Sequence, residues 1–144
     1  MATQLTVEDA RESLTAHAAA KGAEIHAQYG PLLGWAELKR LLKDSCHVRY
    51  PCEVVFDASQ LEPGEFAHAV PRGEHPSAGF DIHVHPAFMI QLDRVPALVL
   101  YQLVLVNYGD FASPDDAEAF GAAALGMDRD EYYQLVCQAA DDVG

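Results

Sequence analysis

One segment dictates what the rest of the chain must do: Val95–Val106, reading VPALVLYQLVLV, lies between Arg94 and Asp110 with Gln102 as its only strongly polar interruption. A bilayer crossing needs about 20 apolar residues, so the run is too short to span a membrane. As a helix continuing to about Asn107 it is apolar all round, and such a helix must be covered on several sides by other elements. Leu98, Leu100, Leu103, Val104, Leu105 and Val106 are therefore expected in the core. Gln102, carried inside with them, must find hydrogen-bond partners for its amide.

The flanking sequence supplies the cover. Thr6 can cap a helix whose first turn carries Glu8 and Asp9. Val7, Ala10, Leu14, Ala18 and Ile25 then keep a near-helical period to about Gln28, and Tyr29-Gly30-Pro31 ends it. Trp35, Leu38, Leu41 and Leu42 read as a second, short helix stopping near Asp44, with Trp35 as its core anchor. The period then changes. Cys52–Phe56 is rich in β-formers, Phe66–Val70 alternates weakly and Phe80–His85 alternates cleanly, with an exposed loop of turn formers over Pro71–Gly79. Beyond the apolar helix, Ser113-Pro114 opens another with cap and N1 residues in order. A last helix after Asp128 carries Tyr132, Leu135, Val136 and Ala139 on one stripe. At 144 residues the chain falls within the size of one domain. The expectation is a single α+β domain over residues 1–144: N-terminal helices, a small antiparallel sheet of three or four strands, and C-terminal helices.

Charge narrows the partners. With 22 Asp and Glu against 9 Lys and Arg the formal charge is −13, a field that repels phosphate backbones and anionic lipid. Neither nucleic acid nor a membrane is expected as partner; protein is. The charge is uneven, nine acidic residues and one basic (Arg129) from Asp110 onward, with Lys39, Arg40, Lys43 and Arg49 gathered earlier. Glu8, Asp9, Arg11 and Glu12 leave no apolar stretch for a secretory leader. Cys46, Cys52 and Cys137 are an odd count without a C-x-x-C pair, which suits reduced thiols in a cytoplasmic protein.

Two polar constellations could carry chemistry. In Phe80–His85 the alternation puts Phe80, Ile82 and Val84 on one face and Asp81, His83 and His85 on the other. H-x-H on a strand offers a metal two nitrogen ligands, with Asp81, His75 or His68 as a third, and zinc as the ion. The same pattern also describes the wet face of a half-buried strand. If Phe66 and Val70 face the core, His68 faces it too, opposite the other two. Cys46, His47 and Cys52 are a second set, but their spacing fits no known zinc finger. No G-x-S-x-G, Walker A or G-x-G-x-x-G pattern occurs.

The apolar helix and the segment after it carry a resemblance over about residues 80–127. The pattern H-E-L-x-H-x-x-x-G has its places at Tyr101, Gln102, Leu105 and Gly109. Asp115-Asp116-Ala117-Glu118-Ala119-Phe120-Gly121-Ala122-Ala123-Ala124-Leu125-Gly126-Met127 is similar to the second-helix segment of ImmA/IrrE-type gluzincins. The resemblance implies a zincin-like scaffold in which Asp116 or Glu118 stands at the place of the acidic residue completing the zinc site. The ligands themselves are missing. Tyr101 and Leu105 replace two imidazoles, and Gln102 replaces the carboxylate that would deprotonate a bound water. No intact catalytic motif and no resident cofactor are expected, and the reading is of a degenerate, non-catalytic binding domain. A metal-binding protein or metal-dependent hydrolase built on His83, His85 and Asp81, and a small oligomeric subunit joined through a sheet edge, are the alternatives.

Overall fold

The computed structural model describes residues 6–144. Helix α1 (Val7–Tyr29) starts in a capping box: the Thr6 hydroxyl accepts the Asp9 N–H at 3.0 Å and the Asp9 carboxylate accepts the Thr6 N–H at 3.1 Å. A short α2 (Trp35–Leu41) follows, then strands β1 (Cys52–Phe56), β2 (Ala67–Pro71) and β3 (Phe80–Val84), and helices α3 (Val95–Tyr108), α4 (Pro114–Leu125) and α5 (Arg129–Val143). The fold is α+β with helices at both ends, as the periodicities imply. Short 3-10 turns at Pro86–Ile90 and Leu92–Arg94 carry the chain from β3 into α3.

Helix α3 takes the central place its sequence demands, packing on β2, β3, α2, α4 and α5. Ten of its residues are buried, including Gln102, but the cover is incomplete: Leu105, expected inside, is 41 % exposed, and Tyr101, Asn107 and Tyr108 are half-buried. Leu105 is the exposed point of this side, between Tyr101, which lies edge-on to Phe66 at 5.9 Å, and Tyr108, which lies edge-on to His17 of α1 at 5.6 Å. A uniformly apolar helix does not reveal which side its neighbours miss.

Helix α4 lies between α3 and α1, and α1 packs chiefly on α4. This position accounts for the Ala- and Gly-rich sequence of α4. A Cβ added to Gly22 of α1 would meet Ala123 Cβ at 2.9 Å and the Ala124 nitrogen at 3.0 Å, and one added to Gly121 would overlap the Tyr132 ring of α5. Small residues let backbones approach, and Ala18 of α1 and Ala117, Ala122 and Ala124 of α4 are all buried. Tyr132, fully buried, donates its hydroxyl to the Ala97 carbonyl of α3 at 2.6 Å. Asp44 ties the end of α1 to the turn after α2, accepting from Tyr29 Oη at 2.7 Å, the Cys46 N–H at 3.0 Å and Gln28 Nε2 at 3.3 Å.

The sheet corrects the expected antiparallel arrangement. Its order is β1-β3-β2, with β2 antiparallel to β3 through the Arg72–Gly79 connection but β1 parallel to β3, a mixed sheet of three strands among the described residues. The chain leaves β1, crosses to the far side, enters β2 and returns as the central strand. Alternation of side chains is common to both pairings, so period two carries no information on direction. The register also moves His68. It stands directly opposite His83, and direct cross-strand partners share a face, so His68 lies on the side away from the core with His83.

Candidate functional site

Tyr101 and Leu105, the two positions at which the sequence resemblance would expect metal ligands, lie on the more open side of α3. Together with Val104, Ala112, Pro114 and Ala117 they line a shallow, mainly apolar depression. Burial, followed by the charge of Glu118, raises the Tyr101 phenol above its ordinary range, which leaves it neutral at physiological pH. Glu118 is partly buried and accepts from Arg129 Nη2 at 3.4 Å. Asp116 does not face this depression. It is the N3 residue of the capping box at Ser113, is 2 % exposed, and accepts the Thr15 hydroxyl of α1 at 2.5 Å and the Ser113 N–H at 2.8 Å. Its role here is structural, holding the start of α4 against α1.

Gln102 is turned toward the sheet. Its Oε1 accepts the N–H of Ala69 at 3.3 Å. Ladder bonds Phe66–His85 and Arg72–Gly79 fix the parity of β2: Ala67, Ala69 and Pro71 direct their backbone groups away from β3. The Gln102 amide thus caps an outward N–H of the β2 edge. Pro71 offers no N–H at all, and α3 covers this side of the strand.

Asp81, His83 and His85 are not drawn together. Asp81 is held by Arg72 at 2.9 Å, and the same guanidinium reaches Glu53 at 3.7 Å. His85 lies past the end of β3, where its Nδ1 accepts the Ala87 N–H at 3.1 Å and caps the 3-10 turn. His83 is half-buried, and its Nδ1 has no hydrogen-bond partner among the described residues. His75 sits in the exposed loop, and Cys46, His47 and Cys52 are also separated in role: His47 Nε2 bonds Gln28 Oε1 at 2.8 Å, while burial pushes the Cys52 thiol up to about 11. Among the described residues no three His, Cys, Asp or Glu side chains group to hold a metal ion.

The sequence points to a sheet edge as an assembly surface without saying which strand forms it, and the structure leaves β1 at an edge. Bonds Phe80 N–H to Pro51 O and Asp57 N–H to Val84 O bracket the parallel ladder, so Glu53 and Val55 bond to β3. The N–H and C=O groups of Cys52, Val54 and Phe56 point outward, and none has a hydrogen-bond partner among the described residues. Beside them runs a groove of about 260 Å³ lined by Trp35, Lys39, Leu42, Lys43, Glu53 and Val54, continuous with a cleft that reaches Arg49 and Tyr50. The gathering of Lys39, Lys43 and Arg49 was visible in the sequence; the open strand beside it was not.

Compared with protein-family models, curated proteins and solved structures, the chain has no significant match. No helix among the described residues is long and apolar enough to cross a membrane.

Proposed function

We propose that the protein is a non-catalytic binding domain, a zincin-like scaffold without the metal chemistry, whose partner is a protein. The observation that carries this reading is Gln102. Where the resemblance would require a general base, the chain carries a buried amide that cannot take a proton from water and whose oxygen is engaged by the Ala69 N–H. Tyr101 and Leu105 beside it give the depression an apolar surface instead of ligands, and the resemblance would assign the acidic third ligand's place to Glu118, whose charge acts on Tyr101.

The test is to incubate the protein, metal-free and with added zinc, with a mixed pool of unstructured peptides and follow the pool by mass spectrometry. The expected result is no cleavage in either state and no stoichiometric zinc on α3. Chelator-sensitive cleavage would overturn the reading. The triple variant Tyr101→His, Gln102→Glu, Leu105→His, checked for native circular dichroism, is expected to gain zinc affinity that falls again with Glu118→Ala. A folded triple variant without zinc affinity removes the zincin part of the proposal.

A further inference from the structure

We infer that the free edge of β1 docks an extended, acidic segment of another protein, which adds to the sheet as a further strand. The inference rests on reading the protein as a binding domain and supplies the partner's chemistry. Three features of the edge converge on it.

The first is the backbone. Cys52, Val54 and Phe56 present alternating N–H and C=O groups with no hydrogen-bond partner among the described residues, the template an incoming strand requires. The opposite edge cannot serve, because Gln102 caps Ala69, Pro71 lacks an N–H and α3 covers β2.

The second is the groove. An added strand places alternate side chains on each face of the sheet. Those on the core side would meet Trp35, Leu42 and Val54, an apolar floor built where α2 stands off from β1. Trp35 is half-buried and packs on Phe56 at 5.9 Å between ring centroids, so it is held in place without being covered.

The third is charge. Lys39 and Lys43 line the groove and Arg49 the adjoining cleft; all three are exposed, and none makes an ion pair among the described residues. Arg72, by contrast, is already neutralised by Asp81 and Glu53. In a molecule of net charge −13, a strip of unpaired cations along the one open strand selects an acidic partner and steers it there. A second copy of the chain is the poorer fit. It would bring the same cations and a repulsive net charge to the interface.

The experiment uses a fluorescent peptide of about eight residues with Thr at every second position and Glu and Val in turn between them, so that one face carries both acidic and apolar side chains, a counterpart with Lys for Glu, and an acidic version N-methylated at every second amide. The acidic peptide is expected to bind, with shifts and slowed exchange at the Cys52, Val54 and Phe56 amides. Its affinity is expected to fall about tenfold in Lys39→Glu with Lys43→Glu, two exposed changes that leave the core intact. The basic and N-methylated peptides are expected to bind far more weakly. Equal binding of acidic and basic peptides, or no binding of either, overturns the proposal. So does protection of the three amides in the free protein together with a doubled mass in sedimentation, which would mean that a second copy occupies the edge. Cleavage of a bound peptide would instead overturn the non-catalytic reading and leave the docking site standing.

Discussion

Replacing Gln102 by Leu nearly conserves volume but strips the Ala69 N–H of its acceptor, and that N–H lies under α3 where water has little access. The expected loss is about 1 kcal/mol, at the low end for an orphaned buried donor because the bond is long at 3.3 Å, read from urea denaturation. Asp44 makes a prediction of the opposite kind, one of pH. Its hydrogen bond from Tyr29, followed by the Cys46 N–H, holds its carboxyl below the usual carboxylate range. The folded group thus titrates below the unfolded one. Its stabilising contribution is complete above the unfolded value near about 4 and is lost as the pH falls through the lower folded value. Asp44→Asn is expected to lower stability at neutral pH and to flatten the acid limb of a stability-versus-pH curve. At this scale the sequence could say that Gln102 must be partnered, since it sits in an apolar run, but not by what, since Ala69 is 33 residues away. His68 was placed on the wrong face for a physical reason. Phe66 precedes the strand and is buried together with its neighbour Ala67, so counting alternation from Phe66 shifts the parity by one.

Helix α4 shows what an element owes to its neighbours. Gly121 lies against the ring of Tyr132, itself fixed by its bond to Ala97, so the ring cannot swing away from a new methyl group. Gly121→Ala is expected to destabilise by about 1–3 kcal/mol in chemical denaturation, as overpacked cores do. Gly126→Ala should cost a similar amount through a different cause. At φ 67° the backbone is left-handed, and the added Cβ would press on the ring of His26. Helix positions were legible because periodicity, capping residues and turn formers act locally: the Ser113 capping box, Pro at N1 and Gly126 mark both ends of α4. The direction of β1 was not legible, because it depends on which strand comes to lie between two others. Nor was the exposure of Leu105, because an all-apolar helix has no polar stripe to mark the uncovered side.

At the scale of the whole molecule, charge and connectivity dominate. The excess of 13 negative charges remains however the cations pair, so self-repulsion opposes compaction at neutral pH. The thermal midpoint is expected to rise as salt increases from about 0.01 to 0.5 M, since screening relieves repulsion more than it weakens exposed pairs such as Lys21–Glu24. A midpoint that falls with salt would show the ion pairs to outweigh the repulsion. Connectivity has a consequence in time. The face of α1 formed by Ala18, Gly22 and Ile25 is covered by α4, and Thr15 lies 101 residues ahead of the Asp116 that it bonds. A ribosome adding about 5–20 residues per second delivers α4 roughly 5–20 s after α1. For that interval α1 emerges as a helix whose small-residue face has no mate, and the nascent chain is at its most vulnerable to capture by chaperones or to mispairing with another chain.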